Sequence, residues 1–204
     1  MTATEDLLQK QRIRELLESW VVWSDSGDWE RFRSLWHEPA YMFATWFQAS
    51  AQDFVNARRD GWNKGVSIIH HLGSSSIDLA GARAIAQTRM VISQRAPVEG
   101  VLCDVNCTGR FYDFLEERKG KWGLVLRRPI YEKDRIDPVE PGAKLALDPK
   151  ILAEFPEGYR HLAYMQHQMG YKVKRDMPGL KGAEVERLYA RGKAWLEGKP
   201  IEFD

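Results

Sequence analysis

The chain has 204 residues, 44% of them hydrophobic and 29% charged, with 30 basic against 29 acidic side chains and a formal charge of +1. That length suits one well-buried domain plus an appendage, and the composition excludes global disorder. The near-zero net charge gives no reason to expect nucleic acid or an anionic membrane as a partner.

The N-terminal stretch MTATEDLLQKQRIRELLESW mixes charge with apolar residues throughout. It reads as neither a secretion signal nor a membrane span, and no later run reaches spanning length. Cys103 and Cys107 sit four residues apart in one expected strand. Along an extended chain that is roughly 13 Å, too far for a disulfide, so the expectation is a reduced, cytoplasmic protein. Five of the eight Trp (Trp20, Trp23, Trp29, Trp36 and Trp46) fall in the first quarter, which suits an aromatic core or a pocket for ring-shaped ligands.

In chain order, Leu8, Ile13, Leu16, Leu17, Trp20, Val21 and Trp23 recur at helical spacing up to about Ser24. Ser26-Gly27 breaks that helix, and Asp28 is placed to cap a second short one, WERFRSLWH. AYMFATWF reads as a strand and AQDFVNARRDGWNK as a third helix. The period then changes to two. SIIHHLGSSSIDLA, ARAIAQTRMVISQRA, GVLCDVNCTGRFYDFLEER and KWGLVLRRPIYEKD predict four successive strands, with turns at Gly81, Pro97–Gly100 and Lys119-Gly120. Helices followed by long antiparallel strands imply an α+β fold whose sheet curls around an apolar interior. Composition breaks at Asp137–Gly142, giving a domain over 1–136 and a helical extension over 137–204 that packs on the domain or on a neighbouring subunit.

Three groups of residues could carry chemistry. Asp25, at the C-terminal end of the first helix, opposes the helix dipole and needs a cationic or hydrogen-bonding partner. His70 and His71 are strand neighbours, so one faces the interior and the other the opposite side; an imidazole can serve as base and then acid. Arg127 and Arg128 alternate in the last strand, and an inward arginine could stabilise a developing anion. The five histidines lack the spacing of a zinc helix, and no phosphate loop or nucleophile elbow occurs, so neither metal nor cofactor is expected.

The run IRELLESWVVWSDSGDWERFRSLWHEPAYM, the later HHLGSSSIDLAGARAIA and the closing GRFYDFLEERKGKWGLVLRR together resemble the SnoaL-like branch of the nuclear transport factor two-like superfamily over roughly residues 5–135. The resemblance implies a cone-shaped curved antiparallel sheet wrapped around the N-terminal helices, open at its wide end. It implies no cofactor, and a homodimer or homotrimer. Matched position by position, it assigns an acid–base pair to Asp25 and His71 and a pocket arginine to Arg127. Trp20, Met42, Trp46, Ile69, Met90, Ile92, Gln94, Cys107, Phe111 and Tyr131 then line a pocket for a hydrophobic small molecule, and Val125 and Pro129 share the face of Arg127. Some members carry Lys or Tyr where this chain has Trp20, which argues against dehydrochlorination. The resulting expectation is a cofactor-independent lyase eliminating water, or a small carbonyl fragment such as formaldehyde, from a hydroxylated aromatic compound. A lignin-derived diaryl dimer is one version. The alternatives are a ketosteroid-type isomerase and a non-catalytic binder resembling the small subunit of ring dioxygenases.

Overall fold

The computed structural model describes residues 2–201 and 203. Helix α1 (Ala3–Ser26) opens on a capping box, in which Thr2 and Glu5 satisfy each other's backbone donors, and ends at Gly27 in the left-handed conformation. Asp28 caps α2 (Trp29–Arg33). This helix is shorter than the sequence suggests, because Trp36 and His37 already belong to strand β1 (Trp36–Phe43). Strand β2 (Gln48–Ser50) and helix α3 (Ala51–Asn63) follow, with the Ser50 hydroxyl accepting from the Asp53 amide. Four long strands come next: β3 (Ser67–Ala80), β4 (Arg83–Val98), β5 (Val101–Arg118) and β6 (Lys121–Pro138). Glu99-Gly100 and Lys119-Gly120 supply the consecutive positive φ angles that two-residue hairpins need.

The six strands form one sheet in the order β2-β1-β6-β5-β4-β3, antiparallel except where β1 runs alongside β6. The fold is therefore α+β, with a mostly antiparallel sheet packed against the N-terminal helices.

Three irregularities decide which side chains point inward. In β3, Gly73 and Ser74 together oppose a single residue of β4, so pairing shifts from Ser75↔Thr88 to Leu72↔Met90. Below this bulge His70, not His71, stands opposite Ile92. In β6, pairing jumps from Leu115↔Leu124 to Phe114↔Leu126, leaving Val125 extra. A second break between Lys133 and Tyr131 carries Asp134 to the inner side, opposite Cys107. Each bulge inverts the alternation beyond it. Val125 consequently packs with Phe43, Ile85, Phe114 and Leu126 on the outer face rather than beside Arg127.

The tail after β6 contributes α4 (Pro149–Ala153), α5 (Arg160–Gln168) and α6 (Ala183–Leu196). Helix α5 buries Leu162, Ala163, Tyr164, Met165 and Gln166 within the inner core. Helix α6 covers the outer face, where Val185, Leu188 and Trp195 meet Phe114, Tyr112 and Ile130. Gly192 allows that approach: a β-carbon there would lie 1.9 Å from the Tyr112 hydroxyl. Cys103 and Cys107 are free and buried.

Backbone crowding is tightest at Gly109, where a β-carbon would sit 2.0 Å from the Ile130 carbonyl oxygen. The blocking atom is backbone of the paired strand, which cannot yield as a flexible side chain would. Gly109→Ala is expected to destabilise the fold by about 3 kcal/mol. Urea unfolding followed by circular dichroism measures this, and an unchanged midpoint would show that the β5–β6 pairing is laxer than drawn.

Candidate active site

The sequence leaves Asp25 one residue short of the end of α1, and α1 packs across β3. One carboxylate oxygen of Asp25 accepts the His70 backbone N–H at 2.5 Å; the other accepts from His70 Nδ1 at 2.9 Å. Arg58 of α3 completes the cluster, donating to the Ser24 hydroxyl at 3.3 Å and to Asp25 at 3.5 Å. All three side chains are largely buried, at 12% exposure for Asp25, 8% for His70 and 5% for Arg58. Burial is the main influence on His70 and holds its pKa below the ordinary imidazole value, against the opposing pull of Asp25. His70 is thus neutral near pH 7. With Nδ1–H committed to Asp25, Nε2 carries the lone pair.

The partner of Asp25 is therefore His70, which corrects the expectation of His71. The Gly73–Ser74 bulge is the reason: it turns Ile68 and His70 inward and leaves Ile69, 51% exposed, and His71 on the outer side.

His70 lines a cavity together with Trp20, Met42, Ala44, Thr45, Trp46, Phe54, Arg58, Ile68, Ile92, Gln94, Phe111, Pro129, Tyr131, Leu162 and Gln166. Seven of the expected lining residues are among them: Trp20, Met42, Trp46, Ile92, Gln94, Phe111 and Tyr131. Ile69 is not, since it faces out. Met90 and Cys107 face in but are packed into the core away from the cavity. Arg127 also points inward, yet it does not reach the cavity wall. It forms a fully buried two-bond pair with Asp113 on β5, at 2.6 and 2.9 Å, and its guanidinium lies over the rings of Trp20 and Phe111 at 4.2 and 4.1 Å. Asp113 already neutralises that charge.

The cationic group on the cavity wall is instead Arg58, a residue the sequence reading passed over. Its signal was present: Phe54 and Arg58 are four apart in α3 and so share the helix face that turns to the core.

The cavity holds only about 30 Å³, room for little more than a water molecule. Helix α5 closes one side of it, contributing Leu162 and Gln166 to the wall. A polar chain fixes it there: the Thr45 hydroxyl donates to Gln166 at 2.6 Å, Gln166 donates to Gln94 at 3.3 Å, and Gln94 donates to the Met169 sulfur at 3.2 Å. At its other end α5 has no side-chain cap of its own. The buried carboxylate of Asp134 supplies one from β6, accepting the N–H groups of His161 and Leu162 at 2.7 and 2.8 Å and His161 Nδ1 at 2.8 Å.

Two measurements check this arrangement. A His whose folded pKa lies below its unfolded value stabilises the fold above the unfolded pKa, and that contribution fades as pH falls through about 6.5 toward the folded pKa. Wild-type melting temperature should therefore drop below pH 6.5 more steeply than that of His70→Gln; parallel curves would show that His70 is not buried neutral. Removing the carboxylate cap with Asp134→Ala should lower stability by about 1–2 kcal/mol. It should also speed hydrogen exchange at the His161 and Leu162 amides, and unaltered exchange there would mean that Asp134 does not hold α5.

Comparison with known proteins bears on the fold that carries these residues. Residues 5–128 match the model of the SnoaL-like domain. A PEP2-like protein of Fusarium vanettenii is 39% identical over 208 residues, covering 97% of this chain and 89% of its own length. Among solved structures, a putative scytalone dehydratase from Novosphingobium aromaticivorans superposes with a TM-score of 0.57 at 16% identity, over 71% of this chain and all of that one. LinA, described as a hexachlorocyclohexane dehydrochlorinase, superposes with a TM-score of 0.58 at 14% identity, over 72% of this chain and all of its own. These two likenesses establish shared architecture only. With more than half its length matched, the chain belongs to the SnoaL-like domain family.

Proposed function

We propose that the protein is a cofactor-independent lyase that removes water from a hydrophobic, ring-bearing hydroxylated compound, with His70 as the proton-transfer residue. The carrying observation is the buried Asp25–His70 pair on the wall of an aromatic-lined cavity. Its chemistry is as follows. His70 Nε2 takes a proton from carbon; the C–H electron pair becomes a C=C bond, and the C–O bond to the neighbouring hydroxyl breaks. The departing oxygen receives the proton back from His70 and leaves as water, so the enzyme ends as it began. Asp25 keeps Nδ1 protonated and compensates the imidazolium charge that forms midway. Arg58 prevents Asp25 from becoming an unbalanced buried anion.

Loss of formaldehyde from a hydroxymethyl group beside a quinone methide would use the same residues: His70 takes the hydroxyl proton, the O–H pair becomes the C=O of formaldehyde, the C–C pair becomes a C=C bond as the quinone methide rearomatises, and the phenolate oxygen so formed receives the proton from His70. A lignin-derived diaryl compound is one such substrate. The cavity wall of Trp20, Trp46, Phe54, Phe111 and Tyr131 supports an aromatic ligand in either case.

The test is turnover of a panel of hydroxylated aromatic compounds, read by mass spectrometry as loss of water or of formaldehyde. On any compound turned over, His70→Ala is expected to lower kcat by about 10²–10⁴-fold, while His71→Ala leaves it within twofold or so of wild type. Equal activity in the two variants would end the proposal.

A further inference from the structure

The outer face of the sheet, opposite the His70 cavity, carries a second concave feature. His71 pairs with Val91, Val91 with Thr108 and Thr108 with Lys133, so these four side chains form one outward row across β3, β4, β5 and β6. The row spans about 14 Å, three strand spacings. Helix α6 packs further along the face, against Tyr112, Phe114 and Ile130, and both ends of the row, His71 and Lys133, are exposed. Two bulges flank it. Gly73 in β3 has no side chain beside Arg89; a β-carbon there would lie 3.3 Å from that of Arg89. In β6, Glu132 is the residue left over between Thr108↔Lys133 and Gly109↔Tyr131. Bulged strands bend, and between these two lies an open groove of about 580 Å³ whose walls include His71, Arg89, Val91, Glu132, Lys133 and, from the tail, Leu180. Leu180 is 61% exposed, and the tail is fixed beside it by the Tyr131 N–H, which donates to the Pro178 carbonyl at 2.8 Å.

The charges around this groove do not balance. Arg89 and Arg110 face each other across β4 and β5 and share one carboxylate: Arg110 donates to one oxygen of Glu132 at 2.7 Å and Arg89 to the other at 3.1 Å. Lys133 has no acidic partner among the described residues. Elsewhere on the face the arginines are matched one to one, Arg95 by Asp104 and Arg135 by Asp137. Three cations therefore stand around the groove against a single carboxylate, and a concave surface with an excess of one sign concentrates ions of the other. Its walls are also partly hydrocarbon, at Val91 and Leu180. A bare inorganic anion would leave that hydrocarbon in water, and a neutral apolar molecule would leave the excess charge unmatched.

We infer that the groove is a second ligand site, for an amphiphilic carboxylate whose head lies between Arg89 and Lys133 and whose hydrocarbon covers Val91 and Leu180. The long side chains of Arg89 and Lys133 reach one head group from strands two apart, and His71 bounds the groove at its far end. The site lies on the opposite face of the sheet from His70, so it stands or falls independently of the elimination proposed above.

The probes are octanoate; octanol, which keeps the chain without the charge; and acetate, which keeps the charge without the chain. Titration calorimetry at low ionic strength should find octanoate about tenfold tighter than either of the others. Lys133→Gln and Arg89→Gln should each weaken octanoate about fivefold and leave octanol unchanged. Lys133 is exposed and unpaired, so its replacement tests the head site without disturbing the fold. In the ¹H–¹⁵N spectrum of wild type, octanoate should move the amides of Val91, Thr108 and Lys133 and leave those of Trp20 and Arg58, at the His70 cavity, in place. Absence of octanoate binding, equal affinity for octanoate and octanol, octanoate no tighter than acetate, or full affinity in both variants would each overturn the inference. So would shifts centred on Trp20 and Arg58, which would put the ligand in the cavity. Shifts at Val91, Thr108 and Lys133 on diluting the protein alone would overturn it too, because a second copy of the chain would then occupy the groove.

Discussion

Both oxygens of Asp25 are engaged by a single residue of the neighbouring strand, one through its backbone and one through its ring. This double grip ties the C-terminal end of α1 to β3 and sets the orientation of the His70 ring in the same contact. The carboxylate sits at the unfavourable end of the helix dipole and largely out of water, so it is stable only while His70 and Arg58 remain in place. Helix α3 must then lie where Arg58 reaches α1, and β3 must carry its bulge where it does. The packing of two helices on the sheet edge and the protonation state of the site thus follow from one hydrogen-bonded cluster.

The aromatic block around this cluster is organised by a second buried pair. Arg127 and Asp113 face each other across β5 and β6, and their mutual neutralisation permits a guanidinium to lie between Trp20 and Phe111 in the core. The arginine acts here as a flat, polar packing element. It positions Trp20, and Trp20 in turn presents its edge-on contact to His70. The residue that looked in the sequence like an anion binder therefore serves the site from behind its wall.

The strands themselves were legible because two-residue turns with left-handed backbone leave a plain mark, as at Glu99-Gly100 and Lys119-Gly120, and α3 because Ala51, Phe54 and Val55 recur at helical spacing. Which histidine faces inward was not. Counting back from the turn at Gly81 with perfect alternation pairs His71 with Ile92, and only the extra residue at Gly73–Ser74 moves His70 into that place. A glycine within a strand is a hint of a bulge, but three serines follow it, and nothing in single-residue chemistry says where the slip occurs. Val125 escaped for the same reason, through the irregularity between Leu124 and Leu126. The capping role of Asp134 was hidden more deeply still. It depends on a bulge in β6 and on a helix that starts 26 residues later.

Because Leu162 and Gln166 of α5 form part of the cavity wall, the tail bears on what the cavity can hold. Leu162 and Gln166 occupy space that a ligand would need, and Thr45 and Gln94 hold them there. Were a ring-sized ligand to bind here, α5 would have to withdraw, and the observed affinity would be the intrinsic affinity multiplied by the fraction of molecules in which it had done so. Selection of that kind would act at admission, before any bond is made or broken, and would belong to α5 as much as to the helix and strand that carry Asp25 and His70.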